Sequence, residues 1–184
     1  MNETSQLGFA LLGLLHQQPM SGYDLRKVFT TTAMAGFSDS PGAIYPALNR
    51  LAKGGLVRGA VEKTGSLRTR RVFANTPAGT AALKAWLELP VTRQDVVRGV
   101  DLLLLRFAFM DQTLGPVQST RFLKEFASAM ESYTAELRQF LSVNRTSMPT
   151  SARLAFECGL QQHTLFLEWA GSSIAVYQRR KGKK

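Results

Sequence analysis

Ser40, Gly42, Tyr45, Asn49, Arg50 and Lys53 fall within fourteen residues and combine small, amide, phenol and cationic groups. A phenol and a guanidinium suit phosphate oxygens, whereas an amide and an ammonium can reach the edges of bases. At about 100° per residue, Ile44, Leu48 and Leu51 cluster on the opposite side of the same segment. The pattern describes a helix held by a core on one face, with small residues at its N-terminal end and polar groups beyond. A helix that merely covers a core has little need of that mixture; a helix that enters a DNA major groove does. Asn49 and Lys53 are expected at base edges, Tyr45 and Arg50 at phosphates.

The elements that must position this face surround it in the chain. Ser40 reads as an N-cap and Pro41 as a first helical residue, while Gly54 and Gly55 supply the exit. Pro46 lies just after the expected first turn. A proline in a helix interior costs about 3 kcal/mol, so something must shape the start of this helix. Downstream, 56–62 and 70–74 read as strands joined by the polar turn 63–69. From Tyr45 to Arg71 the chain carries seven Lys and Arg against the single acid Glu62. Lys63, Arg68, Arg70 and Arg71 are therefore expected to attract a phosphate backbone. Arg70 and Arg71 alternate across a strand, so one of the two can face inward or pair with an acid. Upstream, 7–15 is apolar nearly all round, as a helix central to a small domain would be. Ser21 and Asp24 form a capping box in which Asp replaces the usual Glu or Gln, and Met20 and Leu25 are spaced as its hydrophobic staple.

Helix, turn, helix and basic hairpin is the layout of a winged helix-turn-helix, and residues 7–89 resemble the PadR family of bacterial transcriptional regulators. The residues that carry the resemblance are 11–15 (Leu-Leu-Gly-Leu-Leu), 21–25 (Ser-Gly-Tyr-Asp-Leu), 40–48 (Ser-Pro-Gly-Ala-Ile-Tyr-Pro-Ala-Leu), 55–57, 70–73 and 76–79 (Thr-Pro-Ala-Gly). The Ser-Pro-Gly…Tyr-Pro-Ala-Leu segment is the specific part. The family often has Thr where Ala43 stands and a tyrosine pair where Val72 and Phe73 stand, and the turn 65–68 lacks an expected proline. The resemblance implies double-stranded DNA as partner, repression as the sign of control and tolerance of proline at position 46. It also implies a small hydrophobic or aromatic effector, since the family includes regulators released from DNA by phenolic acids or hydrophobic cationic drugs.

Composition agrees. The 184 residues carry 23 Lys and Arg against 13 Asp and Glu, a formal charge of +10 that favours polyanion partners. Five of the cations, Arg179, Arg180, Lys181, Lys183 and Lys184, form a tail of the kind that more often solubilises a terminus than binds. Cys158 is the single cysteine, which excludes an internal disulfide and fits a reducing cytoplasm. Residues 1–6 lack the basic residue of a secretory signal, and the apolar run 102–110 contains Arg106 and is too short to span a bilayer. Neither a membrane partner nor a cofactor is expected.

The second half reads as helical. Leu89-Pro90-Val91 is the expected linker. Thr92 with Asp95 opens a helix expected to run to Met110, and 114–116 (Leu-Gly-Pro) breaks it. A long helix from 117 to 143 carries Leu123, Phe126, Met130, Tyr133, Leu137 and Phe140 at alternating spacings of three and four, a heptad seam. A final helix from 150 or 151 to 178 has Leu165 and Trp169 on one stripe with a second apolar stripe beside it. These eight residues are expected at a two-fold homodimer interface, unless the final helix folds back to close the seam within one chain. The region is similar to the virulence-activator-type C-terminal part of some family members.

His16 and His163 are the only imidazoles. His16 suits a helix C-terminus. Cys158 and His163 fall on nearly opposite sides of one helix, which disfavours a shared metal, and Cys158 reads as a buried packing residue. No nucleotide-loop, redox or zinc-protease spacing occurs, so no catalytic or metal-binding set is expected. The expected architecture is mainly α with a small β-hairpin wing: a winged helix-turn-helix DNA-binding domain over 1–89, then an all-helical dimerisation domain over 90–184 with a basic tail. The competing class is a winged-helix protein–protein adaptor that does not bind DNA.

Overall fold

The computed structural model describes residues 4–32, 41–64 and 68–181. The chain divides into two compact units, Met1–Leu89 and Pro90–Lys184. It is mostly helical, with one small three-stranded antiparallel sheet.

The first unit is built around α1 (Gln6–Gln17), which is capped by Ser5 and has every residue from Ala10 to Leu15 buried. Its fully buried neighbours include Leu25, Ile44, Leu48 and Leu83, each worth about 1.5–3 kcal/mol when removed from water. Phe9 and Trp86 stack at 4.7 Å on the same core. α2 (Gly22–Thr31) starts at the expected capping box. Ser21 Oγ accepts the Asp24 N–H at 3.2 Å, while Asp24 Oδ2 accepts the Ser21 N–H at 3.2 Å and the Ser21 hydroxyl at 2.7 Å. Ser21 also belongs to a two-residue strand, β1 (Met20–Ser21), unforeseen in the sequence. β2 (Val57–Thr64) and β3 (Arg68–Asn75) form the hairpin, with Glu62 opposite Arg70, and β1 pairs with the other edge of β3 through Met20–Phe73 and Ser21–Val72.

α3 (Ile44–Lys53) starts later than the sequence suggested. Pro41–Ala43 form a 3-10 turn, and Ala43 precedes the α-helix without a side-chain cap. Pro46 is thereby the third residue of α3, in the first turn, where backbone N–H groups have no intrahelical partner. That removes most of the cost of an interior proline. Ser40 lies outside the described residues. The helix ends in a Schellman arrangement: the Leu56 N–H reaches Leu51 O at 2.9 Å and the Gly55 N–H reaches Ala52 O at 3.0 Å. α4 (Pro77–Leu87) starts where Thr76 caps it, and Thr76 Oγ1 also donates to Gly55 O at 2.7 Å. Asn75 Nδ2 donates to Leu12 O at 2.9 Å, fixing the sheet to α1.

In the second unit the single helix expected from Thr92 to Met110 is two, α5 (Arg93–Arg98) and α6 (Asp101–Leu114). Gly99 at φ 132° turns the chain between them, a conformation closed to other residues. α7 (Pro116–Asn144) and α8 (Thr150–Lys181) form an antiparallel pair. The heptad seam closes on α8 of the same chain. Leu123, Phe126 and Met130 are fully buried, Phe126 meets Phe166 and Trp169 edge-on, Tyr133 meets His163 and Phe140 stacks on Phe156. Leu137 is half-buried. Trp169 also packs on Phe107, which lies beside Phe122 and Tyr177. The antiparallel α8, a short turn away in the same chain, covers this part of α7. Leu165 differs, at 62% exposure. Cys158, expected in the core, is exposed, because Phe156, His163 and Phe166 are on the side that α8 turns to α7 and Cys158 lies on the far side. Among the described residues no helix is long and apolar enough to cross a membrane.

Candidate nucleic-acid interface

α3 is positioned by Ile44, Ala47, Leu48 and Leu51, all buried, so its remaining face is fixed outward. Gly42, Tyr45, Asn49, Arg50 and Lys53 are all exposed on the solvent side of this segment. Tyr45 is 50% exposed and sits on the flank towards α2. Its ring occupies the space that a side chain on Gly22 would need: a Cβ there would stand 2.5 Å from Tyr45 Cε1. Gly22 is buried for that reason, and the tyrosine is held at the start of α2.

Arg50 and Lys53 occupy a different setting. They line a groove of about 580 Å³ with Thr4, Ser5 and Gly8 of the α1 start, over a floor that includes Leu51, Leu56 and Ala82. Two cations beside the positive end of a helix favour an anion there. Sequence reasoning missed this groove because its walls are some 45 residues apart in the chain. It also passed over Tyr23, which is 68% exposed in the first turn of α2. Its place beside the capping box was the available signal.

The hairpin cations divide. Arg70, expected to meet phosphate, lies 3.8 Å from Asp24 Oδ2 and 3.6 Å from Glu62 Oε2. Cross-strand pairing with Glu62 and the β1–β3 register bring both acids within its reach. The carboxyl of Asp24 is held below its ordinary pKa, chiefly by the Ser21 hydroxyl and further by the Ser21 N–H, Arg70 and Lys27. Arg71 is exposed, with its guanidinium 5.1 Å from the centre of the Phe73 ring and its Nε where a Gly59 side chain would begin. The side chains of Lys63 and Arg68 lie outside the described residues. Among the described residues no cluster of His, Cys, Asp and Glu could hold a metal.

Comparison with known proteins gives this face a context. Residues 11–85 match the transcriptional regulator PadR-like family. The negative transcriptional regulator PadR of Bacillus subtilis (strain 168) is 30% identical over 81 residues, 44% of this chain and 44% of that protein. The match thus spans less than half of that relative's length. A crystal structure of a PadR-like transcriptional regulator from Bacillus cereus is 23% identical and covers 96% of this chain and 98% of its own, with a TM-score of 0.44. Bacillus subtilis PadR in complex with operator DNA is 20% identical over 93% of this chain and 98% of its own, with a TM-score of 0.43. The family consists of transcription regulators, not enzymes. Residues 11–85 of the chain are thus similar to the PadR-like family of transcriptional regulators, and the likeness covers less than half of the chain.

Proposed function

We propose that the chain is a sequence-specific repressor that binds a pseudo-palindromic operator as a cytoplasmic homodimer. The observation that carries this reading is the outward face of α3, where Tyr45, Asn49 and Lys53 are exposed while four buried residues fix the helix from behind. In a major groove, Asn49 can pair with an adenine edge and Lys53 with guanine oxygens and nitrogens. Tyr45 and Arg50 take phosphates on the two flanks, Arg50 at the groove beside the α1 start. Arg71, with Lys63 and Arg68, adds sequence-independent attraction from the wing. The negative sign of control is taken from the name of the Bacillus subtilis relative.

The homodimer rests on apolar residues that α7 and α8 leave largely exposed: Leu154, Leu165 and Val176, spaced by eleven residues along α8, with Val143 on α7. One winged module alone buries little surface on DNA, and two related by a dyad read half-sites about one helical turn apart. An aromatic effector would act on the second unit, where Phe107, Phe122, Trp169 and Tyr177 gather. A salt series on random duplex tests the reading. The log–log slope should fall by about 0.9 for each phosphate neutralised. An adaptor that does not bind DNA would give no salt-dependent affinity.

A further inference from the structure

We propose that Arg70 is a positioning residue that neutralises Asp24 and Glu62 and ties the wing to the start of α2, rather than a ligand of phosphate. The inference rests on the reading that α3 and the wing face DNA. Its basis is the geometry of three side chains from three elements. Asp24 is fixed from its own side, because Oδ2 already accepts the Ser21 N–H and hydroxyl. Glu62 is fixed by register, opposite Arg70 on the neighbouring strand. The Arg70 guanidinium spans the two, with Nη1 towards Asp24 and Nη2 towards Glu62. A planar fork can serve two carboxylates in different directions; a lysine ammonium is a single point charge.

All three side chains are about half exposed, and both separations exceed hydrogen-bond length. Such pairs add little to folding stability. Their consequence lies in the surface charge. Tyr45 rests against Gly22, two residues from Asp24. Without Arg70, two carboxylates would therefore stand beside a side chain that is to meet a phosphate. Like charges brought together at an interface oppose association. The acids also explain why the seven cations of this segment overstate its pull on DNA: one of them is engaged within the protein.

A double-mutant cycle on the full chain tests this, with binding to a random duplex read by fluorescence anisotropy. Arg70→Ala should weaken binding about tenfold, and adding Glu62→Gln should restore most of it. Glu62→Gln alone should change affinity by less than about twofold, so the two effects are not additive. The salt slope of the double variant should equal that of the parent. Additive effects, or a slope lower by about one phosphate in every Arg70→Ala protein, would make Arg70 a phosphate ligand and overturn the proposal. A second readout needs no DNA. Spin labels at Arg26→Cys and Ala60→Cys, in a Cys158→Ser background, report the distance from α2 to the wing. Arg70→Ala should broaden that distribution and an unchanged width would contradict the strut. If the parent binds no duplex, the functional reading fails while the distance measurement still judges Arg70.

Discussion

Tyr45 of α3 and Gly22 of α2 share one volume: the tyrosine ring fills the place of the side chain that Gly22 lacks. The contact sets the tyrosine's direction and joins two sequence motifs 23 residues apart. Gly22→Ala would bring a methyl to 2.5 Å from the ring. The half-exposed ring can swing away, so the stability loss should be at the low end of overpacking costs, about 1 kcal/mol. Duplex affinity should fall more than stability does. Anisotropy and urea denaturation on the same variant check the ordering.

Gly79 offers no such escape. A Cβ on it would lie 2.0 Å from Leu56 O, a backbone atom that also accepts the Thr76 N–H. Gly79→Ala should destabilise the chain by about 3 kcal/mol. Gly171 in α8 has nothing within 4 Å of its would-be Cβ. Gly171→Ala should stabilise by about 0.5–1 kcal/mol, since alanine favours a helix interior. Urea midpoints of the two variants should move in opposite directions.

His163 gives the second unit a pH dependence. Its ring meets Tyr133 at 5.1 Å, its Nδ1 is buried, and burial holds its pKa below the ordinary value. The unfolded chain takes up this proton as pH falls through about 6.5, and the folded chain does so only at lower pH. Stability is therefore complete above that range and is lost as pH falls through it. Asp24 and Glu136, whose carboxyls are held low by Ser21 and by Arg93, contribute stability that is lost only at more acidic pH, below about 4. The urea midpoint of the parent should drop between pH 7.5 and 5.5, and His163→Gln should flatten the drop.

Leu123 and Leu165 separate core from interface. Leu123 is fully buried within its own chain, and Leu123→Ala should cost about 2–5 kcal/mol. Leu165 is largely exposed, and Leu165→Asp should leave the fold intact while halving the mass seen by sedimentation. A parent already at formula mass would remove the dimer.

Local chemistry was legible and distant pairing was not. The capping boxes at Ser21 with Asp24 and at Thr92 with Asp95, and the Thr76-Pro77 start of α4, are set by neighbours within three residues. The break at Gly99 was hidden because apolar residues continue on both sides of it. β1 is only two residues long, and its partner in β3 lies some fifty residues away. The heptad seam showed where an apolar stripe runs along α7, and periodicity does not say whose residues cover it. That one of Arg70 and Arg71 could pair with an acid was legible from their alternation; which one was not, because Asp24 and Glu62 lie on other elements. The outward face of α3 was legible because its buried counterpart, Ile44, Leu48 and Leu51, has the same period.

This outward face of α3 is expected to read sequence. In vitro selection from a randomised duplex pool tests it, run in parallel with the parent chain and Asn49→Ala. The parent should enrich one inverted repeat, and Asn49→Ala should lose discrimination at a defined position in each half-site, by about 1–3 kcal/mol, while retaining non-specific affinity. Enrichment of the same motif by both proteins, with equal discrimination at every position, would contradict the account.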